Sequence, residues 1–188
     1  MYVVTIDQRR SRTSADAVPD LLGELGKHPT VRAFERTAGD EVQGLLDEPR
    51  AVVDVACLLV SQRRWYVGVG LGDVDRPLRP DVRANSGPAF IAAREAVGEA
   101  KRSPRRIAVR GARTDHAETA LLLLATVLDR RTRHGREAVE AVLASATQVE
   151  AAKSLGISPQ AIGQRLRSAA WHEEQRGREL ATHLLAQG

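Results

Sequence analysis

The chain has 188 residues, 43% of them hydrophobic and only 3% aromatic, with a formal charge of +4. This is enough apolar material for a core built mainly of Ala, Val and Leu, and the charge leans toward anionic partners. Cys57 is the only cysteine, which excludes a disulfide framework and a thiol zinc site. Within the apolar run Val52–Val60 it reads as a small buried hydrophobe. Met1–Asp7 turns polar too soon for a signal peptide, and Leu121–Leu128 is far shorter than a membrane span. The expectation is a soluble cytoplasmic protein with no membrane partner.

In chain order, Tyr2–Asp7 reads as a strand from its β-branched residues. Ser14 or Asp16 is placed to cap a helix through Leu25, with Gly26 stopping it. Val31–Thr37 alternates as a strand, Ala38–Glu41 is a turn containing Gly39–Asp40, and Val42–Leu46 returns. Pro49 suits the first turn of a helix to about Gln62. Trp65–Leu71 is a strand, Pro88–Lys101 a helix and Arg106–Arg110 a last strand. The glycines of Val67–Gly72 lie inside a strand, which argues against a phosphate-binding loop.

After Thr114 the strand pattern stops. His116–Arg130, Arg136–Ala144, Thr147–Ser154, Pro159–Ala169 and Trp171–Ala186 all read as helices. A boundary near 114 then separates an α/β domain, 1–114, from a helical region, 115–188. On the last helix, Trp171, Leu180, Leu184 and Leu185 mark an apolar side, and Glu173, Glu174, Arg176 and Arg178 a wet one. That helix serves either to support its neighbours or to pair with a second subunit.

Residues 147–170 carry the most specific spacing. Ala152 is small where two helices cross, Gly156 follows four residues later at a sharp turn, and Ile162 comes six residues after that. Val149, Leu155, Ile157 and Leu166 complete a small core. Ser158 is a natural N-cap and Pro159 a natural first residue for the second helix. Recognition helices present their N-terminal residues to base edges in the major groove. Here those are Ser158, Pro159, Gln160, Ala161, Gln164 and Arg165. Glutamine can pair with adenine and arginine with guanine, while Lys153 and Arg167 suit phosphates. The segment resembles the helix-turn-helix of bacterial regulators and of the promoter-binding region of sigma factors. Double-stranded DNA is the partner this implies, and a homodimer would read two half-sites.

Asp7 ends the first strand in Val-Val-Thr-Ile-Asp-Gln, and the hairpin reads Ala38-Gly39-Asp40-Glu41-Val42. Val67–Gly72 and Pro88–Lys101 follow in the same order as in the palm-like domain of nucleotidyl and diguanylate cyclases. With its Gly-Asp-Glu turn and the segment Gly87-Pro-Ala-Phe-Ile-Ala-Ala-Arg-Glu95, the chain resembles the SatD-like family, a degenerate cyclase domain joined to a C-terminal helix-turn-helix. The resemblance implies an α+β fold: a ferredoxin-like, palm-type sheet with helices, followed by an all-α helix-turn-helix domain. It also implies Asp7 and Asp40 as Mg²⁺ ligands, with Glu41 beside them, in a nucleotide site.

The hairpin departs from the cyclase motif at Ala38 and Val42, and only one helix fits between the first strand and the hairpin. These departures point away from cyclase catalysis. The expectation is therefore a DNA-binding transcriptional regulator whose N-terminal domain senses a ligand or mediates dimerisation. Two alternatives stand beside it: a nucleotide-processing enzyme, and a protein-interaction adaptor.

Overall fold

The computed structural model describes residues 1–11 and 13–188 and is an α+β fold. Five strands form one mixed sheet: β1 (Tyr2–Gln8), β2 (Arg32–Ala38), β3 (Glu41–Leu46), β4 (Trp65–Leu71) and β5 (Ile107–Arg110). Their spatial order is β2-β3-β1-β4-β5, antiparallel except for the parallel β4–β5 pair. Eight α-helices are present among the described residues: α1 (Val18–Leu25), α2 (Pro49–Gln62), α3 (Pro88–Ala100), α4 (Asp115–Arg130), α5 (Arg133–Leu143), α6 (Gln148–Ser154), α7 (Pro159–Ser168) and α8 (Trp171–Leu185). No helix among those residues is long and apolar enough to cross a membrane.

Side chains alternate faces along a strand. Tyr2, Val4 and Ile6 of β1 point into a large core shared with α1, α2, α4 and α8. Val3 points to the other face, where α3 packs across β4, β5 and β1. This second contact explains the glycines of β4. A Cβ on Gly68 would sit 2.2 Å from the backbone nitrogen of Val97, and one on Gly70 would sit 2.2 Å from Ala89 O. The stripe Ala89, Ala93, Ala96 and Ala100 makes the matching surface on α3, and all four are fully buried.

The cap expected for α1 takes a different form. Ala17 occupies the N-cap position, and its N–H donates to Gln8 Oε1 at 2.9 Å. Asp16 Oδ1 accepts from Val18 N at 3.0 Å, whereas Ser14 hydrogen-bonds Gln8 and Arg10.

Packing divides the molecule differently from the residue-114 boundary. Ala117, Leu121, Leu124 and Leu128 of α4 and Ala181 and Leu185 of α8 lie in the sheet's core. The Tyr2 hydroxyl ties the end of α8 to β1 by donating to Leu185 O at 3.0 Å. Only α5, α6 and α7 gather around a core of their own, with Ala138, Val139, Ala152, Ile162 and Leu166 at its centre.

The expected polarity of α8 is corrected as well. Leu180 is 52% exposed, while Glu174 is 1% exposed. The stripe Glu174, Gly177, Ala181 and Leu185 faces inward, and the missing side chain of Gly177 admits Leu124 of α4. Glu174 is held by Arg131 at 2.6 Å and by Arg178 at 2.7 Å. Arg131 also donates twice to Ala169 O, at the end of α7, and Arg178 reaches Asp54 on α2 at 2.8 Å. A chain of charges therefore runs from the sheet layer to the end of α7. Cys57 is buried as expected, and that burial pushes its thiol up to about 12.

Candidate nucleic-acid interface

The α6–α7 pair is built by local chemistry. Thr147 Oγ1 accepts from Glu150 N at 3.2 Å and Glu150 Oε2 accepts from Ala146 N at 3.1 Å, so side chains satisfy the start of α6 from both directions. Gly156 takes φ +64° in the turn, where a β-carbon would be strained. Ser158 Oγ accepts from Ala161 N at 3.1 Å and Pro159 opens α7, both as expected. Ile162 and Leu166 fill the space between helices, with Leu155 and Ile157 packed at the margin. Val149 is corrected: it is 63% exposed, because α6 turns Ala151 and Ala152 inward instead.

The predicted contact residues lie on the outer side of this pair. Lys153, Ser158, Pro159, Gln160, Gln164 and Arg167 are exposed, and Ala161 and Arg165 are half-buried. Gln160, Gln164 and Arg167 fall at helical spacing on one face, opposite Ile162. α7 contains no acidic residue. Among the described residues, the side chains of Lys153, Gln160, Gln164, Arg165 and Arg167 make no hydrogen bond or ion pair within the protein. The placement of Arg165 and Arg167 in the last turn of α7 also suits the negative end of the helix dipole.

One member of this surface was missed in the sequence. Gln148, the first residue of α6, reaches the middle of α7, where a Cβ on Gly163 would lie 3.2 Å from Gln148 Nε2 and 3.6 Å from Arg167 Nη1. Gly163 thus lets a glutamine amide and a guanidinium converge. The exposed polar residue opening α6 was the available signal, but its convergence with α7 depends on how the helices cross.

The carboxylates expected to hold Mg²⁺ are arranged otherwise. Asp7 and Glu41 are cross-strand neighbours on β1 and β3. Lys101 Nζ contacts Asp7 Oδ2 at 2.6 Å, and Thr37 Oγ1 donates to Glu41 Oε1 at 2.6 Å. Asp40 sits half-buried in the hairpin turn. Among the described residues no three His, Cys, Asp or Glu side chains form a metal-holding group. The arrangement is a salt-bridged strand end and does not fit a resident divalent cation. Burial raises the Asp7 pKa above the usual aspartate value, Lys101 opposes that rise, and Asp40 and Glu41 add to it.

Several other arginines are engaged within the fold. Arg63, Arg105 and Arg106 converge on Asp129, Arg110 bridges Glu99 and Glu118, and Arg131 is buried. Comparison with known protein families, curated proteins and solved structures gives no match to this chain.

Proposed function

We propose that this chain is a transcriptional regulator that binds double-stranded DNA, with α6 and α7 acting as a helix-turn-helix and α7 as the reading helix. The observation that carries this reading is α7 itself: Gln160, Gln164 and Arg167 on its outer face, and the half-buried Arg165 beside them, make no intramolecular hydrogen bond or ion pair on a helix held by its own small core. Glutamine and arginine offer the paired donor and acceptor geometry that base edges require. Lys153 and Arg167 contribute phosphate contacts that set register. Read this way, a homodimer would present two reading helices to two half-sites.

The order of the first elements supports the palm-like reading of the sheet. β1-α1-β2-β3-α2-β4 with antiparallel order β2-β3-β1-β4 follows the split β-α-β pattern, and β5 extends it. We assign the sheet no catalytic role, since the Asp7–Asp40 end carries an ion pair with Lys101. Its place in the proposal is to hold the reader and to sense a ligand or a second subunit.

The test is selection of bound sequences from random duplex DNA, followed by anisotropy titrations at several salt concentrations. Gln164→Ala and Arg165→Ala should weaken the selected site by about 1–3 kcal/mol each and relax preference at single positions. Lys153→Ala should weaken all duplexes evenly and reduce the salt slope by about one. Absence of any enriched sequence, or unchanged affinity in both α7 variants, overturns the proposal.

A further inference from the structure

Polar side chains buried in the middle of a sheet need a reason, because an apolar pair packs there without a desolvation cost. On β1 and β3, Thr5 and Gln43 are cross-strand partners, 1% and 9% exposed. Gln43 Nε2 donates to Thr5 Oγ1 at 2.9 Å, and Gln43 Oε1 has no protein partner among the described residues. Gln43 contributes to a groove of about 760 Å³ between α3 and the segment that precedes it. That volume lies within the range of small-ligand sites, roughly 300–1,000 Å³.

The groove also carries charge. Arg83 and Arg94 line it, and neither guanidinium has an acceptor among the described residues. Two acids line it too: Asp75 accepts from Ser86 Oγ at 2.7 Å, while Glu95 is exposed. Phe90 and Ile91 supply an apolar wall, and Ile91 is 63% exposed. The first N–H groups of α3 are already used, Ala89 N by Asp73 O at 3.1 Å and Phe90 N by Gly87 O at 3.0 Å. The positive charge available to a ligand therefore belongs to the two arginines. DNA reading by α7 uses none of these residues, and Asp7, Asp40 and Glu41 do not line the groove.

We propose that this groove binds an organic phosphate monoester. Arg83 and Arg94 take the phosphate, whose oxygens suit guanidinium donors. Phe90 and Ile91 flank the body of the molecule, and Gln43 Oε1 accepts a hydrogen bond from an N–H or O–H at its far end. Thr5 fixes the Gln43 amide so that its oxygen remains the free atom.

Calorimetric titration of the full chain tests this with three probes: pyridoxamine 5′-phosphate, which has a ring and an amine, ribose 5-phosphate, which has hydroxyls but no aromatic ring, and inorganic phosphate. The expected order of affinity is the one just given, with the first at least about tenfold tighter than inorganic phosphate. Arg83→Ala and Arg94→Ala should each weaken the first probe about tenfold. Gln43→Leu keeps the size but removes the oxygen that accepts from the far end of the ligand, and should weaken the first probe as well. Circular dichroism confirms that each variant is folded. No binding of either organic phosphate at millimolar concentration overturns the proposal, as does binding that ignores both arginine variants or equal affinity for inorganic phosphate. The titration contains no DNA, so its failure leaves the DNA reading standing, and failure of DNA binding leaves this result intact.

Discussion

The sheet layer and the α6–α7 pair treat charge in different ways. In the layer, Arg36, Arg63, Arg105, Arg106, Arg110 and Arg178 are engaged by carboxylates. In α6 and α7 no side-chain ion pair occurs among the described residues, although Lys153, Arg165 and Arg167 stand there. The cores differ as well: the layer buries large aliphatic groups from strands and four helices, whereas the α5–α7 unit closes around a few alanines with Ile162 and Leu166. The contrast separates two uses of arginine. Most arginines of the body join elements; on α7, as at Arg83 and Arg94 beside α3, arginine remains available to an outside anion, which basic content alone does not distinguish.

Between the two regions lies the Arg131–Glu174–Arg178 network, and breaking it tests whether they are one cooperative structure. Glu174→Ala leaves two guanidiniums facing a vacated buried site. It should cost about 3–5 kcal/mol in chemical denaturation, with hydrogen-exchange protection falling in both regions; a loss below about 1 kcal/mol would mean that the network does not join them. Ile162→Ala should cost about 2–3 kcal/mol, with protection lost in α5–α7 and retained in β1 and β4. Equal loss in the strands would show that the smaller core has no separate stability.

Ser158→Ala removes the acceptor at Ala161 N and should cost about 1 kcal/mol. The same change should fray the first turn of α7 and, on the proposed function, lower DNA affinity; a variant with full stability would make the cap idle. The smallest effect concerns Asp7. Its carboxyl titrates above the ordinary 3.8, chiefly because it is buried, so the ionised form is the one the fold disfavours. The contribution is fully present below the unfolded value and is lost as pH rises through the folded one. Asp7→Asn lacks that loss, so the stability of the native chain relative to the variant should fall between pH 3 and pH 7. A difference that stays constant across that range would contradict the assigned direction.

Much of the α6–α7 pair was legible because its determinants are close in sequence. Pro159 opens α7, Ser158 caps it three residues before Ala161, and Gly156 supplies the turn. Strand order was less accessible, and the carboxylate site least of all: Lys101 meets Asp7 across 94 residues. Val149 misled because α6 is only seven residues long, so a small apolar set is compatible with more than one inward face. Glu174 read as a solvated residue because its partner Arg131 lies 43 positions away.

The sequence by itself placed the strands and helices to within a few residues, with α5 starting at Arg133 rather than Arg136, since caps, turns and proline act over a few residues and need no distant neighbour. Only the tertiary structure decided that α4 and α8 belong to the sheet, that Glu174 is inside, and that the cations of α7 are left unpaired. Burial and pairing depend on which surfaces meet. The cost of removing a charge from water is settled by the groups brought against it, and those come from distant parts of the chain.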